Sequence, residues 1–148
     1  LMTNDCVFDC KYCPNRRSAD VPRAVASPEE MCELVMAFYR RNYIEGLFLS
    51  SAVYKSPTND GAFIGDDKDA SGNYKFNGYI HLKGIPHADK ILTDRAAAYA
   101  DRMSYNIELP SEQSLKLLAP QKTKDSVFSP MRQLCEEKRA LALEYKRR

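Results

Sequence analysis

Three thiols stand within eight residues near the start of the chain, Cys6-Val-Phe-Asp-Cys10-Lys-Tyr-Cys13, spaced C-x3-C-x2-C with an aromatic residue just before the last. Thiolates this close can hold three irons of a [4Fe-4S] cluster and leave the fourth iron without a protein ligand, as a cluster that binds a reactant requires. Two other chemistries compete for the same residues. A structural zinc site takes a fourth Cys or His at short spacing, yet the next thiol, Cys32, falls in a predicted helix and the nearest His is His81. A disulfide framework suits an even cysteine count in a secreted chain, whereas this chain has five cysteines and shows no secretory signal. The cluster reading leads, and zinc stays open.

The elements that must position these thiols follow from pattern. Leu1 to Thr3 reads as the stub of a first strand, with the cysteine loop at its C-terminal end, where α/β barrels place their chemistry. Ser27-Pro28-Glu29-Glu30 is a capping box with proline at the first helical position. Met31, Leu34, Val35, Phe38 and Tyr39 then predict an amphipathic helix as far as Asn42. Short apolar runs at 46–51, 78–83 and 103–109 predict buried parallel strands, with a helix over 88–101 between the last two. A capped helix is expected over 111–118, a loop over 122–130, and a final helix over 131–148 with Leu134, Cys135, Ala142 and Tyr145 as candidate buried positions. The class is α/β, with about two-thirds of a (βα)6 partial barrel visible and its C-terminal part missing. The chain opens at Leu1 beside the motif and stops within a helical pattern, which predicts a piece of a longer protein.

Composition excludes little. The 148 residues suit one domain, and a net charge of +2 is too small to argue for nucleic acid by itself. No run of about 18 apolar residues exists, so no membrane span is expected, and a cytoplasmic location is.

Beyond the cysteines, three runs resemble one family: Gly46-Leu-Phe-Leu-Ser-Ser51, Gly78-Tyr-Ile-His-Leu-Lys-Gly-Ile-Pro-His-Ala-Asp89, and Asp101-Arg-Met-Ser-Tyr-Asn-Ile-Glu-Leu-Pro-Ser-Glu-Gln-Ser-Leu-Lys-Leu-Leu-Ala-Pro120. With the C-x3-C-x2-C spacing and Tyr12, they resemble the radical S-adenosylmethionine (SAM) enzymes, in particular the DNA modification/repair radical SAM subgroup. The likeness covers Leu1 to about Ser56 and Asn73 to about Leu134. It implies a radical SAM core over 1–148 in which Cys6, Cys10 and Cys13 ligate a [4Fe-4S] cluster. SAM binds the open iron and is cleaved by an electron from the cluster, which a flavodoxin or ferredoxin supplies. The resemblance also implies DNA as a partner, together with a uracil-DNA-glycosylase-like protein, through a helix-hairpin-helix type region not seen in these residues. A non-catalytic iron-sulfur or SAM-binding protein, and an inactive fragment, are the alternatives.

The resemblance also assigns a SAM site. Tyr12 falls where relatives line the adenine side. Ser50 and Ser51 end the second strand where relatives carry a Gly-Gly-Glu-like motif for the SAM ammonium; that motif is absent in its usual form, although hydroxyls and carbonyls can still accept from an ammonium. Asn106 and Glu108 alternate on the fourth strand and so share one face; on the barrel interior, ribose hydroxyls or substrate would be the partners that offset the cost of burying them. Lys83 shares a face with His81 by the same alternation: either Lys83 reaches water at the strand end and His81 is a satisfied core residue, or Lys83 binds the SAM carboxylate or an acidic substrate. His87 reads as a surface residue.

Residues 57–72 depart from this pattern. A crossover helix is expected there, but three glycines and no helical period appear. The aspartates do not meet the calcium-loop spacing. Back-translated with permitted codons and read one base later, Asn59 to Tyr74 gives Met-Met-Glu-Leu-Leu-Leu-Glu-Thr-Thr-Lys-Thr-Leu-Arg-Glu-Ile, a helix former. A frameshifted, poorly packed segment is therefore expected.

Overall fold

The computed structural model describes residues 1–56 and 75–146. Its elements are α1 (Pro28–Arg40), β1 (Gly46–Leu49), β2 (Tyr79–Lys83), α2 (Lys90–Tyr99), β3 (Arg102–Ser104), α3 (Glu112–Leu118) and α4 (Lys124–Lys146). The strands form one parallel sheet in the order β1-β2-β3, so the chain is of mixed α/β class, with β2-α2-β3 as a βαβ unit. The atypical segment 57–72 lies outside the described residues, as do the side chains of Ala142 and Tyr145. Among the described residues no helix is long and apolar enough to cross a membrane.

Register organises the core. Leu47 pairs with Ile80, and Leu49 with Leu82, which in turn pairs with Met103. Alternation puts all five on one face, where they cluster with Ala96 of α2 and Ala100 just after it. Small residues at these two positions let helix and sheet approach closely. Asp89 caps α2 through Ile91 N–H at 2.8 Å, and Asp101 Oδ2 accepts from Ile80 N–H at 2.7 Å, tying the end of the crossover to the start of β2. At α1 the expected capping box forms, with Glu30 N–H donating to Ser27 Oγ at 3.1 Å and Ser27 N–H to Glu30 Oε2 at 2.8 Å.

Several elements differ from expectation. In α1 the covered stripe runs through Met31, Cys32, Val35, Met36 and Tyr39, while Leu34 and Phe38 face solvent. Leu1–Thr3 is no regular strand: Thr3 makes a lone antiparallel bridge with Val25. Even so, Met2 N–H donates to Ser50 O at 2.9 Å and Ala52 N–H to Thr3 O at 3.0 Å, which lays the stretch beside the end of β1 in the same direction. The second predicted strand stops at Leu49. The last stops at Ser104 rather than Leu109, because Tyr105 turns inward and is buried, and Glu108 takes a left-handed φ of 64° that a strand ladder does not accommodate. The final helix starts at Lys124, upstream of its Pro130. Its first turn is held by Thr123 and Ser126, each N–H donating to the other's hydroxyl at 3.2 and 3.1 Å, and by nearly complete burial of Val127. These contacts carry the turn although Pro130 has no N–H to give the Ser126 carbonyl. Cys135, read as buried, is exposed.

Gly84, directly after β2, has a packing reason for its identity. A Cβ there would collide with the Tyr105 ring, so Gly84→Ala should lower stability by about 1–3 kcal/mol, the usual cost of overpacking. Urea unfolding checks this, and an unshifted midpoint would contradict the packing described.

Candidate functional site

The cysteine loop has no regular structure, so its backbone groups must find partners elsewhere. Val7 N–H donates to Val53 O at 2.8 Å, Lys11 N–H to Leu118 O at 2.7 Å, Arg17 N–H to Phe8 O at 2.8 Å, and Cys13 N–H closes a turn on Cys10 O at 2.9 Å. Asp9 N–H reaches Gln121 Oε1 at 3.4 Å. The Asp9 carboxylate accepts from Ser18 N–H at 3.0 Å, and that bond holds its pKa below the ordinary value. The strongest tie is Arg23. Its Nη1 donates to Asn4 O at 2.7 Å and Asn15 O at 2.9 Å, and its Nη2 to Arg16 O at 2.7 Å and Ala19 O at 3.0 Å. One guanidinium thus joins the chain before Cys6 to the chain after Cys13.

Cys6, Cys10 and Cys13 line one cavity of about 200 Å³, and Tyr12, Ser50, Ser51, Lys83, Asn106 and Glu108 line it with them. The route for the last two differs from expectation. Asn106 and Glu108 do not sit on a strand; they belong to the turn after β3, where Leu109 N–H bonds Ile107 O at 2.7 Å. Asn106 Nδ2 donates to Glu108 Oε1 at 3.2 Å, and Lys122 Nζ stands 3.5 Å from the same oxygen. Ser51 Oγ donates to Ala52 O at 2.9 Å. His81 stays outside: its Nε2 bonds Ser104 Oγ at 2.8 Å and its ring lies 4.5 Å from Phe48. His87 is exposed, yet its Nε2 meets Gln121 O at 3.0 Å and its ring packs edge-on against Phe8.

Burial pushes the Cys10 thiol pKa up, while the Lys122 charge and a hydrogen bond with Tyr12 pull it back. The Tyr12 hydroxyl is likewise pushed up, first by desolvation and then by the charge of Cys10 and of Glu108. Among the described residues no three His, Cys, Asp or Glu side chains converge on a point that would hold a single metal ion. A four-iron cluster makes a different demand, since each thiolate binds its own iron and the sulfurs stand around the cluster. An all-thiol donor set in a cavity with two lysines nearby fits such an anionic group. Cys32 and Cys135 lie on α1 and α4 and do not line the cavity.

Arg23, Gln121 and Lys122 are the residues that motif and pattern missed. Each is a polar residue in a loop, and nothing in its type or spacing marks it. Compared with known proteins, the chain matches no family model, and no match is found among curated proteins.

Arg23→Ala leaves four carbonyls without their charged donor and should destabilise the apo fold by about 2–3 kcal/mol, in line with bonds to charged groups. Arg23→Lys should recover little, because an ammonium lacks the planar fork. Urea unfolding of both variants measures this; a wild-type midpoint in Arg23→Ala would contradict it. In the apo chain at neutral pH, Cys135 should react with iodoacetamide well before Cys10. The Cys10 rate should climb only as pH passes the ordinary thiol range, since the thiolate is the nucleophile and burial holds the proton on. Mass spectrometry of labelled peptides reads the order.

Proposed function

We propose that this chain is the cluster-binding part of a radical SAM enzyme, built on a partial (βα)6 barrel. The observation that carries the reading is that three thiols at C-x3-C-x2-C spacing share a cavity with all six residues assigned to SAM from the sequence. The parallel sheet, with Leu1–Thr3 bonded beside β1, supports the barrel. When bound, the cluster supplies an electron to SAM at its open iron; hard chemistry of this kind belongs to the cofactor, and the protein orients and shields.

The residues divide that work. Tyr12 offers a ring, 43% exposed, for adenine to lie against. Lys83 provides a cation for the SAM carboxylate, and the Ser50 and Ser51 oxygens acceptors for its ammonium. Asn106 and Glu108, already bonded to one another, present polar atoms to the ribose hydroxyls. Phe8 and Cys10, both buried, line the cavity from the cysteine loop itself. A role in DNA modification or repair, with a flavodoxin or ferredoxin as electron donor, rests on the sequence resemblance.

Anaerobic reconstitution with iron and sulfide tests the reading. The wild-type chain should gain the broad visible absorbance of an iron-sulfur cluster and, once reduced, convert SAM to 5′-deoxyadenosine. Cys6→Ala, Cys10→Ala and Cys13→Ala should each lose the cluster, whereas Cys32→Ala and Cys135→Ala should keep it. A full cluster in Cys10→Ala would sink the ligand assignment. A cluster that never cleaves SAM would favour a non-catalytic iron-sulfur protein.

A further inference from the structure

We propose that Lys122 is a positioning residue that sets the reduction potential of the cluster held by Cys6, Cys10 and Cys13, with Glu108 as its counterweight. The inference rests on reading those three cysteines as cluster ligands. Lys122 lines the same cavity, and its side chain is only 13% exposed, so its charge is poorly screened by solvent. Its segment is built into the cysteine loop's support: Leu118 and Gln121 accept from the N–H groups of Lys11 and Asp9. The charge therefore keeps station beside the loop.

The electron balance is simple. One electron passes from a reduced flavodoxin- or ferredoxin-type donor to the cluster; the donor is oxidised by one electron, the cluster gains one negative charge, and no bond is made or broken. A fixed cation nearby favours the more negative state. Cluster potentials respond to net charge, hydrogen bonds and solvent exposure. At an effective dielectric of about 20, a unit charge roughly 10 Å away changes the ratio of reduced to oxidised cluster by about tenfold or somewhat more, and tenfold corresponds to about 59 mV for a one-electron couple. Glu108, 3.5 Å from the ammonium, subtracts from this effect. The two side chains thus form a pair whose halves move the potential in opposite directions.

The test is a mediated redox titration of the reconstituted chain without SAM, followed by the EPR signal of the reduced cluster, with iron and sulfide content measured on each sample. Lys122→Gln should leave a full cluster whose reduced-to-oxidised ratio at a fixed applied potential is about tenfold lower, equivalent to about 59 mV. Lys122→Arg should restore the wild-type value, and Glu108→Gln should shift it upward. A merely structural role predicts lost iron and no signed, opposite shifts. If Lys122→Gln fails to hold iron, the upward shift in Glu108→Gln carries the test, and its absence overturns the proposal. Full clusters with unchanged potentials in both variants overturn it while leaving the ligand assignment intact. A wild-type chain that takes up no cluster overturns the ligand assignment and this proposal together.

Discussion

Arg23 reaches four carbonyl oxygens on both flanks of the cysteine loop, and the geometry of the loop depends on that one side chain more than on any helix or strand. A loop carrying three thiols has no internal ladder to satisfy its backbone, and half-buried carbonyls without donors are costly. A guanidinium answers this because its donors form a rigid planar fork and its charge does not titrate away. Around this tie the other bonds are single: Val7 to Val53, Lys11 to Leu118, Asp9 to Gln121. They anchor the loop to the segment after β1 on one side and to the end of α3 and the residues that follow it on the other. The thiols thereby come to the C-terminal edge of the sheet without belonging to it.

The far wall of the cavity depends on a second constraint, the contact between Gly84 and Tyr105. Because Gly84 carries no side chain, the Tyr105 ring can lie over it. That contact ends β3 after three residues and sends the chain into the turn that carries Asn106 and Glu108. Glu108 holds a left-handed backbone there, an arrangement that costs on the order of 1 kcal/mol or more for a residue with a side chain and tends to gather at functional sites. The contacts of its carboxylate with Asn106 and Lys122 help to offset that cost. Packing at the edge of the sheet and polarity in the cavity are in this way one problem. The chain leaves the ladder so that polar groups can face the thiols.

The cavity brings groups of both signs together. Three thiols and Glu108 contribute or can contribute negative charge, and Lys83 and Lys122 stand among them. Phe8, Val53 and Ile85, all buried, supply the cavity's apolar lining. The same setting raises the Cys10 thiol pKa when nothing is bound, so an apo chain holds a protonated, slow thiol, and metal uptake has to displace that proton.

Much of this was legible from residue types. The cysteine spacing, the capping box at Ser27, the parallel order of the sheet strands and the membership of Tyr12, Ser50, Ser51, Lys83, Asn106 and Glu108 in one cavity were read from motif, alternation and resemblance. Local signals suffice where local physics decides: a cap depends on residues three apart, and a buried strand on a short apolar run. What the sequence could not determine was set by contacts far apart along the chain. Strand alternation placed Asn106 and Glu108 on a common face for a reason that does not hold, since Tyr105 over Gly84 breaks the strand first. The stripe of α1 turned toward Cys32 and Met36, because the surface it meets, and not its periodicity, chooses the face. The last helix began before Pro130, because burial of Val127 and a Thr123–Ser126 cap outweighed the proline. Arg23 and Lys122 carry no motif at all, and only the tertiary structure, by bringing loop carbonyls to one and a thiol cavity to the other, decided what they do.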